Sequence, residues 1–141
     1  MQISKNFKLS EFEYSNTGTK YGINNKIEDQ TVIDNLTILV NNVLQPLRDY
    51  LNKPVKISSG YRCSQINKLC GGVPNSQHMI GQASDITING MSPYKIAKTI
   101  LEMGIKFDQL ILYPTFVHIS YNEQRNRNRV IYNSAYRGKR L

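Results

Sequence analysis

The feature that most constrains this chain is an apolar stripe between Glu28 and Leu51. Val32, Ile33, Leu36, Leu39, Val40, Val43, Leu44 and Leu47 recur at three- and four-residue steps, the signature of an amphipathic helix. A helix with one apolar face must bury that face against something else. Pro46 lies near its end and predicts a kink or a division there, because proline lacks a backbone donor and clashes with the preceding turn. Downstream, the alternation in VKISS, the apolar beat of SDITI and the paired runs QLILY and FVHISY read as strands. RVIYN reads as a further edge strand, and Ser92 with Pro93 starts a helix reaching about Leu101. Upstream, Leu9 to Glu13 reads as a helical turn capped by Ser10, followed by a polar loop, SNTGTKYGINN. The order predicts a small α+β domain with N-terminal helices and a mostly antiparallel sheet.

A chain of 141 residues with 40% hydrophobic composition can bury one modest core, so residues 1–141 are expected to form a single domain. A formal charge of +8 and a pI near 9.6 attract polyanions without choosing among them. The basic residues concentrate toward the end, in segment 122–141, which holds RNRNR and YRGKRL. No apolar run approaches the roughly 20 residues needed to span a bilayer. The N-terminus MQISKNFKLSEF lacks the apolar core of a secretory signal. The expectation is a chain that is cytoplasmic when synthesised, has no transmembrane segment and is monomeric.

Cys63 and Cys70 are the only cysteines. They flank a segment that reads as a short helix, SQINKLC. Two helical turns separate their α-carbons by roughly 10 Å, beyond the disulfide limit of about 7 Å. Free thiols acting as small buried hydrophobes are expected.

Chemistry concentrates in SSGYRCSQINKLCGGVPNSQHMIGQASDI, where Gly60, Gly71, Gly72, Pro74 and Gly81 repeatedly interrupt regular structure. His78 lies seven residues before Asp85, which opens the apolar run DITI. His118, the second of only two histidines, lies inside FVHIS. Two imidazoles and a carboxylate are the donor types of a catalytic zinc site with its fourth position left to water. On spacing alone, two unrelated, satisfied histidines are the favoured reading over a metal site, because H-x6-D is not a specific pattern.

The same stretch, followed by FDQLILYPTFVHISY and preceded by KLSEF and NVLQPLRDYLNKPVKISSGYR, resembles the zinc D-alanyl-D-alanine carboxypeptidase and L-alanyl-D-glutamate endopeptidase family, especially its small phage and prophage members. The resemblance covers most of the chain. It implies a Hedgehog/D-Ala-D-Ala peptidase-like fold with the zinc site at the sheet. It implies Zn2+ held by His78, Asp85 and His118, with Arg62 beside the scissile peptide, on the oxyanion or a stem-peptide carboxylate. Ser76 and Gln77, directly before His78, become candidates for substrate binding, with a turn-forming Ser-Gln pair as the alternative.

The general base is where this sequence departs from the family pattern. Members commonly carry a Glu or Asp three residues before the last histidine, a position occupied here by Thr115, which cannot exchange a proton near pH 7. Others place a glutamate near the end of the preceding strand, where this chain has Leu112 and Tyr113. Asp108 is the nearest carboxylate and the candidate base, although strand alternation groups it with Leu110 and Leu112. The opposite face then presents Gln109 and Tyr113 to substrate.

The resemblance implies a zinc metallopeptidase that hydrolyses a bond next to a D-amino acid in peptidoglycan stem peptides, serving cell-wall lysis or remodelling after release or as a virion component. Two alternatives stand beside it. One is a catalytically silent zinc module that binds wall peptides, motivated by Thr115. The other is a basic nucleic-acid-binding domain, motivated by the C-terminal cations. Because no DNA or RNA motif accompanies those cations, no specific nucleic-acid partner is expected.

Overall fold

The computed structural model describes residues 1–141. An N-terminal ribbon, β1 (Gln2–Ser4) with β2 (Phe7–Lys8), leads into α1 (Leu9–Glu13) and α2 (Asn16–Tyr21). The long apolar stripe forms α3 (Gln30–Leu39), a π-helical turn (Val40–Leu44) and α4 (Gln45–Leu51). After β3 (Lys56–Ser59) come α5 (Ser64–Leu69) and a 3-10 turn (Gln77–Ile80). Strand β4 (Ala83–Thr87), α6 (Pro93–Met103), β5 (Gln109–Leu112), β6 (Val117–Ser120) and β7 (Arg129–Tyr132) complete the chain.

Pro46 is accommodated by winding, not by a break. The Gln45 N–H reaches back to the Val40 carbonyl, a five-residue step. This π-turn lets the stripe run on past a residue that cannot donate. Asp29 caps the start by accepting from the Thr31 N–H at 2.8 Å.

The main sheet has five strands in the order β3-β4-β6-β5-β7. Its pairings are antiparallel except β5 with β7, which is parallel. The fold is therefore a small α+β domain with N-terminal helices and a mostly antiparallel sheet. Leu110, Leu112, Val117, Ile119 and Ile86 pack with Leu36, Leu39, Val40, Val43, Leu44 and Leu47 and with Ile96 and Ile100 of α6 in one apolar cluster. Asp85 pairs with His118, and His118 with Ile111. Directly opposed residues share a face, so these three lie on the face turned away from that core.

Three expectations need correction. SNTGTKYGINN is not all loop: Ser15 accepts from the Gly18 N–H at 3.1 Å, starting α2, and Gly22 ends it at φ +64°. The first turn is capped not by Ser10 but by Glu11, whose carboxylate accepts from the Lys8 N–H at 2.7 Å. The cysteines are free, yet Cys70 is exposed and Cys63 only half-buried, because the face of α5 that packs inward carries Ile66 and Asn67.

Candidate metal centre

Asp85 is carried by β4 and His118 by the neighbouring β6, at directly opposed register positions. His78 comes from the 3-10 turn, where Ser76 accepts from the His78 N–H at 3.2 Å. Gly81 ends that turn at φ +79°; a β-carbon there would meet the Val32 carbonyl oxygen at 2.6 Å. Glycine is thus required both by conformation and by space.

The three side chains converge on one point. Asp85 Oδ1 lies 3.3 Å from His78 Nε2 and 3.1 Å from His118 Nδ1. The two imidazole rings are 5.1 Å apart, edge to face at 65°. All three donor atoms lie within 4.8 Å of one another. Donors at about 2 Å from a tetrahedral zinc stand roughly 3.3 Å apart, so the spacing fits a first-row divalent ion. The far nitrogen of His78, Nδ1, lies 2.7 Å from the Gly60 carbonyl oxygen. A proton held there leaves Nε2 with a lone pair facing Asp85. Gly60 must be small for this: a β-carbon would fall 2.7 Å from the Phe12 α-carbon.

The electrostatics favour the ligand forms. Burial alone would raise the Asp85 pKa, but hydrogen bonds and charge from His118 and His78 outweigh it and hold the carboxyl well below its usual range. Burial lowers the His118 pKa against the opposing pull of Asp85, favouring neutral imidazole. Arg62 completes the group: its Nη2 is 3.2 Å from Asp85 Oδ2 and its Nε donates to Ser59 Oγ at 3.1 Å. Asn25, buried in the N-terminal region, accepts from the Cys63 N–H at 2.8 Å and donates to the Tyr61 carbonyl at 2.8 Å, gripping both sides of Arg62. Nothing in the sequence pattern marked Asn25, Ser59 or Gly60 for these tasks. An asparagine in a polar loop carries no periodic signal.

The other candidates divide. Tyr113 stacks on Phe116 at 4.4 Å. Burial and the Asp85 charge raise its pKa while Arg62 opposes, which brings the phenol into the field of the cluster. Gln109 and Ile111 share the His118 face, and Gln109 is half-buried. Ser76 is engaged in capping, and Gln77 donates to Asp108 Oδ2 at 2.9 Å. Asp108 does not join the cluster. It is 1% exposed, and its oxygens accept from Arg127 Nε at 2.7 Å, Arg127 Nη2 at 2.9 Å and the Arg127 backbone N–H at 3.1 Å. Hydrogen bonding from Arg127 outweighs burial and lowers its pKa, the wrong direction for a proton acceptor near neutrality.

A buried His-Asp-His constellation on a sheet face, backed by an arginine, defines a metal-dependent hydrolase centre. Comparison with protein families matches the peptidase M15 family over residues 5–120. The chain belongs to that family, and its centre is that of a metallopeptidase acting on peptidoglycan-type substrates. Comparison with curated proteins gives no match. No helix is long and apolar enough to cross a membrane.

Proposed function

We propose that the protein is a zinc peptidase that cleaves a bond next to a D-amino acid in peptidoglycan stem peptides. The observation that carries this reading is the convergence of His78 Nε2, Asp85 Oδ1 and His118 Nδ1 within 4.8 Å in a member of the peptidase M15 family. Zinc is the natural occupant of two imidazoles and one carboxylate at this spacing; when bound it supplies Lewis acidity toward a carbonyl and activates water near neutral pH.

The chain's own groups then have distinct tasks. His78, Asp85 and His118 hold the ion. Gly60 fixes the His78 tautomer. Arg62 clamps the outer oxygen of Asp85 and keeps donors for a substrate oxygen or a stem-peptide carboxylate. Tyr113, protonated at neutral pH, offers a hydroxyl donor beside the scissile carbonyl. Gln109 lies further along the same face and contacts the peptide. Ser76, Gln77 and Asp108 shape the site without touching substrate. We read residues 1–141 as one domain because the core cluster runs from Phe7 to Tyr136, and as a monomer that acts at the cell wall, where its substrate lies.

A catalytically silent, wall-binding module is the second reading, favoured by one observation: Asp85 is the only carboxylate in the cluster. Digestion decides between them. Zinc-loaded protein incubated with purified peptidoglycan should release new amino and carboxyl termini at a bond flanking a D-residue; zinc uptake and wall binding without new termini would establish the silent module.

A further inference from the structure

Asp108 is too well held for an ordinary strand-end carboxylate. One oxygen takes the Arg127 backbone N–H and Nε, and the other takes Arg127 Nη2 together with Gln77 Nε2. Gln77 opens the 3-10 turn and immediately precedes His78. Its amide also reaches Gln82 Oε1 at 3.2 Å, and its carbonyl accepts from the Gln82 N–H at 2.9 Å. Gln77 therefore closes the turn that presents His78 onto Gln82 twice, once through its backbone carbonyl and once through its side-chain amide, and that amide is also tied to Asp108. Arg127 lies beyond the residues matched to the family, 5–120. It belongs to the loop leading into β7, and the Asn128 side chain secures that loop by accepting from the Phe107 N–H at 3.1 Å.

We propose that Asp108 is a positioning residue for the metal centre, holding the His78 turn through Gln77 while Arg127 of the C-terminal segment holds Asp108. The inference rests on the zinc reading above. It assigns the C-terminal segment a task in building the site, besides adding positive charge. Partners outside the ligand set that orient a ligand typically change metal affinity by roughly 10- to 100-fold when removed.

The test uses the full chain with Gln77→Met, which removes the donor at similar length, and Gln77→Lys, whose ammonium can donate to the same carboxylate oxygen. Zinc affinity is measured by chelator competition. Hydrogen exchange of the Gln82 amide and the thermal midpoint are measured on metal-free protein. Gln77→Met should bind zinc about 10- to 100-fold more weakly and exchange faster at Gln82, with an almost unchanged midpoint. Gln77→Lys should recover most of both losses. Arg127→Lys, which keeps charge but loses the fork, should exchange faster at Gln82 as well. Unchanged Gln82 exchange in Gln77→Met overturns the proposal, as does zinc affinity equal to that of the parent. A parent protein that takes up no zinc would overturn the zinc reading instead, and the exchange data would still show whether Asp108 holds the turn.

Discussion

Asp85 divides its two oxygens, one toward His78 and His118 and the other toward Arg62. Removing either histidine leaves two donors, a far weaker chelate. His118→Ala should therefore fall from about one zinc per chain to a trace by elemental analysis, with its circular dichroism unchanged; full retention of zinc would remove His118 from the site. Arg62 is more closely coupled to the metal than its sequence position implies, since it braces a ligand oxygen. Arg62→Lys should weaken zinc by roughly 10-fold and lower kcat by roughly 10- to 1,000-fold, read by competition titration and turnover at saturating zinc. If zinc affinity is unchanged while kcat falls, the guanidinium serves substrate alone. The ligands were legible because the chain has only two histidines, His78 and His118, and because the family resemblance grouped them with Asp85; spacing alone did not single them out. Asp108 was misleading: its proximity in sequence suggested a base, but a partner 19 positions later, the exposed Arg127, claims both oxygens. At Tyr113, where the field of Asp85 is felt, a carboxylate would lie close to the reacting groups. Tyr113→Glu should raise kcat by about 10-fold or more, within the range of general acid-base catalysis; a drop in kcat would make the phenol the better group.

At the scale of elements, periodicity revealed what packs and missed what is capped. The stripe from Val32 to Leu47, the strands at Lys56–Ser59, Ala83–Thr87, Gln109–Leu112, Val117–Ser120 and Arg129–Tyr132, and the helix starting at Pro93 all carried a repeating apolar pattern. The ribbon β1-β2 and the helix α2 did not. Strands of three and two residues are too short for alternation to register, and α2 depends on the Ser15 cap and on Gly18 packing closely against Ile66. The parallel pairing of β7 with β5 is likewise a tertiary fact, since an edge strand reads the same in either direction. The 3-10 turn is the element on which the site most depends. Gly81→Ala forces a side chain into φ +79° and within 2.6 Å of the Val32 carbonyl oxygen. It should cost about 2 kcal/mol, lowering the thermal midpoint by roughly 8 °C, and weaken zinc through the displaced His78. A variant with parental midpoint and zinc affinity would show that the turn tolerates a β-carbon.

For the whole molecule, the buried titratable groups dictate how stability responds to acid. The folded-state pKa of His118 is depressed chiefly by burial, so below its ordinary value of about 6.5 the unfolded chain binds more protons than the folded one. Metal-free protein should begin to lose stability as pH falls through that region. Asp108 is also depressed, by hydrogen bonding from Arg127 against the opposing effect of burial. Its contribution is fully present above the ordinary carboxylate value of about 3.9 and disappears as pH falls through the lower folded value. Asp85 acts in the same direction, held down by His118 and His78 against burial. Urea midpoints of metal-free protein should thus show a first decline below about pH 6.5 and a steeper one below about pH 4. Asp108→Asn keeps the shape of the side chain but removes its titration. The variant should be less stable at pH 7, because Arg127 loses a carboxylate partner, and its difference from the parent should shrink as pH falls below about 4. The His118 decline should remain in both. A difference that stays constant down to pH 3 would mean that Asp108 keeps the same proton affinity folded and unfolded, and that the charge of its carboxylate adds nothing to the stability of the Arg127 contact.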